Sequence, residues 1–202
     1  MKSIMMRVSL VSSLLLVFSY STLFGQEDKP KSRFSHKGIK AAFGAGSFEN
    51  EFGDKLNDGA AGSLNIGYGF DDKFTLWLGF LGVEHPENSV NRKATDFGGA
   101  ELNLQYKLLP QSRIQPYGKL GVGIYGIGEQ NSNTTFLGGG FALAAGADWF
   151  FSRHFGIGAE LQYKNIDYSK ERREILGKTV ETDLNPRLDG KSVGLMFILT
   201  IQ

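Results

Sequence analysis

The stretch FALAAGADWFFSRHFGIGAELQYK, Phe141 to Lys164, decides the fold. Its alternate residues Phe141, Leu143, Ala145, Ala147, Trp149 and Phe151 form one apolar series, which resumes after Ser152, Arg153 and His154 as Phe155, Ile157, Ala159, Leu161 and Tyr163. The intervening series is small, polar or charged: Ala142, Ala144, Gly146, Asp148, then Gly156, Gly158, Glu160, Gln162 and Lys164. A period of two sustained over this length specifies two β-strands with one apolar and one polar face, joined by a tight turn.

Which face meets water decides the class. A soluble barrel or sandwich buries the apolar series, whereas a membrane barrel turns it toward lipid and keeps the polar series in its lumen. Two details favour lipid. The aromatic residues gather at the strand ends beside the turn, where an interfacial belt belongs, and each strand runs about 9 to 11 residues, the length that crosses hydrocarbon at a tilt.

The same alternation recurs along the chain. Strands are expected at Gly38 to Phe48, Ala60 to Phe70, from Phe74 onward, at Thr95 to Leu108, Pro116 to Gly128, in the two arms of the opening hairpin, and at Lys191 to Gln202. Tight turns such as Asp71 to Lys73 alternate with longer polar connections: Glu49 to Gly59, Glu84 to Ala94, Glu129 to Thr134 and Asp167 to Gly190. The result is an all-β, eight-stranded antiparallel up-and-down transmembrane barrel, with turns on one side of the membrane and loops on the other.

Composition narrows the functions. With 22 basic and 21 acidic residues the net charge is +1, so no global field recruits nucleic acid. There is no cysteine, which removes disulfides and thiolate chemistry. Many of the 27 glycines fall inside strand patterns, a poor choice for a packed soluble sheet but compatible with a narrow lumen. Lys2 and Arg7 precede an apolar, uncharged run from Val8 to Phe18, the form of an export signal; residues 1–25 are read as that signal, cut between Gly25 and Gln26, with a site after Ser21 as the alternative. Residues 26–36 read as a polar periplasmic tail and 37–202 as the barrel domain.

These features together resemble the small eight-stranded outer-membrane barrels, the group that holds the OmpA transmembrane domain and the OmpX-like and OmpW-like porin-family proteins. The closing strand adds a more specific match. Ser192, Gly194, Phe197 and Leu199 fit the pattern that this family presents to the outer-membrane assembly machinery, although Gln202 stands where the family has a terminal aromatic. The resemblance implies a monomer in the bacterial outer membrane, both termini periplasmic, in contact with lipids including lipopolysaccharide. A secreted soluble barrel of the lipocalin kind stays open as an alternative; it would set Glu101, Gln162 and Lys164 in bulk water.

Three groups of residues are candidates for function. Lys40, Glu101, Lys107, Lys119, Asp148, Glu160 and Lys164 alternate onto the inner face and would form a charge network in the lumen, either an ion pathway or a plug of salt bridges, with Lys119 expected to pair with Asp148. Tyr68, Phe70, Phe74, Tyr106, Tyr117, Trp149, Phe151 and Phe155 would form the aromatic belt on the turn side. Lys170, Arg172 and Arg173 in the longest loop would offer a surface for anionic groups such as lipopolysaccharide phosphates, and Ile175, Leu176, Thr179 and Val180 around Gly177 and Lys178 suggest a short hairpin in that loop.

Signs of chemistry are weak. Gly121, Gly123 and Gly126 match a dinucleotide fingerprint, but no helix follows to receive phosphates. Some barrels of this size modify lipid A with a His, a Ser and an acid at the membrane surface, yet His36, His85 and His154 read as tail, loop and turn residues. No catalytic, metal or cofactor site is expected. The leading function is a structural or surface-recognition protein without enzymatic activity; a small porin or carrier for an apolar or small solute, and a lipid A-modifying enzyme, are the alternatives.

Overall fold

In the computed structural model, the described residues are 34, 37–52, 54–55, 58–86, 94–129, 133–175 and 178–202. The expected signal and nearly all of the expected tail lie outside them. The strands are β1 (Gly38–Phe52), β2 (Asp54–Lys55), β3 (Gly59–Gly69), β4 (Phe74–His85), β5 (Thr95–Lys107), β6 (Ile114–Glu129), β7 (Thr134–Phe150), β8 (Phe155–Ile175) and β9 (Lys178–Ile201). The two residues of β2 fold back on the end of β1. The other eight strands are all antiparallel to their neighbours, and β9 returns to pair with β1 from Ile201↔Ala41 to Gly190↔Phe52, closing the ring.

Closure satisfies the backbone without leaving an open edge across the ring, which is what a sheet in hydrocarbon requires. The side chains are arranged as the membrane solvent demands. Leu120, Val122, Ile124 and Phe197 are between 61% and 70% exposed on the outer wall, while Lys164 is 1% and Glu101 8% exposed inside. A soluble barrel would reverse this, so the lipocalin-like alternative does not describe the molecule. The closing strand alternates without a break from Gly190 to Thr200, buried Ser192, Met196, Ile198 and Thr200 against exposed Val193, Leu195, Phe197 and Leu199.

The interior divides into two halves. Toward the turn end it is polar: Lys40, Thr75, Gln105, Lys107, Gln115 and Asp148 are all buried. Toward the loop end, where a polar filling was expected, Phe48, Val83, Phe97, Tyr125, Ile127, Ile166 and Tyr168 form an apolar cluster, backed by Phe52, Phe136 and Leu184. Inward glycines make room for these rings. A Cβ at Gly194 would collide with the Phe48 ring, and one at Gly67 would come within 2.5 Å of the Trp77 indole.

The loops are shorter than expected because the strands outrun the membrane. The segment expected as a loop from Asp167 to Gly190 is the far part of β8 and β9, paired from Asp167↔Asp189 to Ile175↔Lys178 with a register shift between Tyr168 and Lys170. From Lys170 outward, residues on both faces of this extension meet water, so apolar and polar alternation does not mark its full length. Likewise β1 continues to Phe52 and β4 to His85.

Candidate functional site

Among the described residues, the charged groups that the fold buries are concentrated in the lumen. On β8, Glu160, Gln162 and Lys164 face inward in sequence, and inward residues of β5 and β6 meet them across the barrel. The Lys164 ammonium binds the Glu101 carboxylate and donates to Gln162 Oε1 at 2.9 Å. Glu101 also accepts from Asn103 Nδ2 at 3.0 Å and from the Tyr125 hydroxyl at 3.2 Å. Gln162 Nε2 donates to Glu160 Oε1 at 2.7 Å, and Lys119 closes the chain on Glu160 Oε2 at 2.5 Å. Two cations and two anions are thus joined through one amide, with aromatic rings beneath: Lys164 stands 5.6 Å from the Phe48 centroid and Lys119 5.2 Å from that of Tyr117. Such compensation is what a buried charge needs. Among this network a cavity of about 20 Å³ remains, lined by Ser63, Asn65, Asn103 and Gln162, room for about one water.

Nearer the turns lies a second layer. Lys107 donates to Gln115 Oε1 at 2.7 Å and lies 5.1 Å from the Phe150 ring; Lys40 donates to Thr75 Oγ1 at 3.2 Å. Trp77 Nε1 donates to Gln105 Oε1 at 2.8 Å, and the Thr200 hydroxyl reaches Asp148 Oδ1 at 3.5 Å. Neither lysine of this layer forms an ion pair with a described residue.

Several expectations need correction. Lys119 pairs with Glu160 and not with Asp148. In the β6–β7 ladder Lys119 lies opposite Ala144 while Asp148 lies opposite Gln115, four residues away, roughly 13 Å along a strand. Tyr117 is 4% exposed and belongs to the lumen, because it shares the parity of Lys119 and Gly121; the other seven belt residues, Tyr68, Phe70, Phe74, Tyr106, Trp149, Phe151 and Phe155, are 38% to 54% exposed on the outer wall. Phe74 and Tyr106 touch there at 5.0 Å between centroids, and Trp149 and Phe151 at 6.2 Å.

His85 is not a loop residue in solvent. It ends β4, is 2% exposed, and its Nε2 lies 2.8 Å from Asn50 Nδ2. Lys170, Arg172 and Arg173 sit on β8 and already face carboxylates: Arg172 binds Glu181 Oε1 through Nε at 3.0 Å and Nη2 at 2.7 Å, Lys170 lies 3.7 Å from Glu181, and Arg173 2.5 Å from Glu171. The Arg172 guanidinium holds the Glu181 carboxyl below its ordinary pKa. At the opposite end Asp71 Oδ1 accepts the backbone N–H groups of Lys73 and Phe74, each at 2.7 Å, which fixes the tight turn and likewise holds that carboxyl low.

Gln115 and Phe34 were not anticipated. Gln115 lies just before the strand expected at Pro116 to Gly128, yet it shares parity with Tyr117 and Lys119 and so belongs inside; it is fully buried. Among the described residues no group of three or more His, Cys, Asp or Glu side chains is arranged to hold a metal ion.

Comparison with known proteins agrees with this geometry. Residues 13–197 match the family described as outer membrane protein beta-barrel domain. A search of curated proteins finds no match. Among solved structures, Neisserial surface protein A is similar over 81% of this chain and 96% of its own, at 12% identity and a TM-score of 0.63. The outer membrane protein OprG from Pseudomonas aeruginosa is similar over 81% of this chain and 97% of its own, at 19% identity and a TM-score of 0.52. At these identities the likeness concerns the fold alone.

Proposed function

We propose that this chain, which belongs to the outer membrane protein β-barrel domain family and hence to the bacterial outer membrane, serves as a closed, non-enzymatic barrel that presents the β8–β9 hairpin at the cell surface. The observation that carries this reading is the filled interior: a charge network with partners at mid-height, an apolar cluster toward the loops, and room for about one water between them. Turns and termini face the periplasm in this reading, and the extended hairpin faces outward, because short turns lie on the periplasmic side in such barrels. The closing-strand residues Ser192, Gly194, Phe197 and Leu199 serve recognition by the assembly machinery, and the exposed outer wall contacts lipid. At the surface the hairpin works as cover and as a recognition arm, and its cations serve it internally, since Lys170 and Arg172 share Glu181 and Arg173 pairs with Glu171. His85 ends β4 at the loop side, and its ring is buried against Asn50, which does not support chemistry on a lipid outside the barrel. A carrier for an apolar solute is the second reading, favoured by the aromatic lining of the loop half.

Orientation is tested with single cysteines, since the chain has none of its own. On intact cells a membrane-impermeant maleimide should label Val180→Cys at once, and Arg153→Cys only after the outer membrane is opened. The reverse order would overturn the orientation. Recognition is tested by binding of lipopolysaccharide to the triple variant Lys170→Gln, Arg172→Gln, Arg173→Gln: unchanged binding supports a hairpin whose cations serve its own pairs, and a marked loss assigns them to the lipid.

A further inference from the structure

Phe34 lies outside every strand and is nevertheless 8% exposed. Its carbonyl accepts two side-chain amides, Gln115 Nε2 at 3.0 Å and Gln202 Nε2 at 2.8 Å. The Arg113 guanidinium stands 5.7 Å from the centre of its ring. The donors come from separate parts of the turn-end rim, the start of β6 and the residue after β9.

Both clamps are themselves held. Gln115 Nε2 also lies 2.8 Å from the Pro110 carbonyl and 3.1 Å from that of Ser112, so its two N–H groups are shared among three acceptors, while its Oε1 accepts from Lys107. Gln202 is tied to the β7–β8 turn: its N–H donates to the His154 carbonyl at 2.9 Å, and its own carbonyl lies 2.8 Å from His154 Nδ1. A carbonyl has two lone pairs, and here two fixed amides take both.

The burial of Lys107 gives this contact its meaning. Lys107 is the last residue of β5, at the rim where a lysine would ordinarily reach water, yet it is 2% exposed, as is Lys40 in the same layer. We propose that Phe34 is a stopper for the turn-end mouth of the lumen, latched through its carbonyl by Gln115 and Gln202, and that it shields the Lys40 and Lys107 layer from solvent. The ring excludes water by apolar burial, and Arg113 above it adds a cation–π contact. Gln115 meets Phe34 through one end of its amide and Lys107 through the other, so one side chain joins the latch to the lumen layer beneath it.

The test uses the full-length chain with Thr75→Cys as reporter, because Thr75 is 1% exposed and accepts the Lys40 hydrogen bond in the shielded layer. A water-soluble methanethiosulfonate is added to the refolded barrel in detergent, and the labelling rate is compared with that of the same reporter carrying Phe34→Ala or Gln202→Ala. Heat-dependent gel mobility checks that each variant is folded. Labelling should be slow in the parent and about tenfold faster with Phe34→Ala, the factor expected when a buried ring and its latch no longer favour the closed form. Gln202→Ala should give a smaller rise. A rate unchanged by Phe34→Ala in a folded barrel would overturn the proposal, as would a parent rate equal to that of an exposed Val180→Cys control. The readout is entry at one mouth, so it stands apart from whether the lumen conducts.

Discussion

Lys164–Glu101 and Arg172–Glu181 are ion pairs that begin on the same strand, β8, alike in chemistry and different in environment. The side chains of the first are 1% and 9% exposed, those of the second 49% and 41%. Inside, each partner has been taken from water and depends on the other; outside, either partner returns to solvent at little cost. The difference teaches that the charges of this protein differ by depth: in the proposed reading the lumen network fills the barrel, while the hairpin pairs contribute little to holding it.

That contrast can be broken most directly at Glu101. Glu101→Leu leaves Lys164 buried with only the neutral Gln162 oxygen, and should lower unfolding stability by about 3–5 kcal/mol in a urea titration of the refolded barrel. Adding Lys164→Met should restore most of the loss, since the double variant has no orphaned charge. A neutral single variant would mean that the pair does not hold the barrel.

Next in size is Phe48→Ala. Its ring is fully buried against Lys164 at the border of the polar and apolar halves, and its removal should cost about 3 kcal/mol in the same titration. A much smaller cost would indicate that the loop half is loosely packed, which would favour the carrier reading. The smallest effect is expected at the surface. Arg172→Ala should leave the urea midpoint unchanged within error, and any shift should vanish at high salt. The Glu181 carboxyl is held low in the folded state, so its contribution is present above the ordinary carboxylate range and fades as the pH falls through the lowered folded value. A large midpoint shift in Arg172→Ala at neutral pH would contradict the comparison.

The ring of eight strands was legible because lipid outside and a narrow lumen inside impose opposite chemistry on alternate residues, as in Phe141 to Lys164. Where both faces meet water, as at Asp183, Asn185 and Arg187, that contrast vanishes and a strand reads as a loop, whereas the hairpin tip was legible from Ile175, Thr179 and Val180. Parity places a residue on a face but not opposite a partner. Glu101, Lys119, Glu160 and Lys164 were therefore identifiable as inward, while the pairing of Lys119 with Glu160 follows from ladder register, which counting from the turns does not supply. Tyr117 shows the same rule from the other side: aromatic character suggested the belt, and parity with Lys119 decides for the lumen. Phe34 had no signal at all, since its partners Gln115 and Gln202 are far from it in sequence.

The central claim is a barrel closed by its own side chains, and single-channel recording of the refolded protein in a planar bilayer tests it most directly. The account predicts no large, steady conductance at moderate voltage. A stable open level of porin size would contradict it.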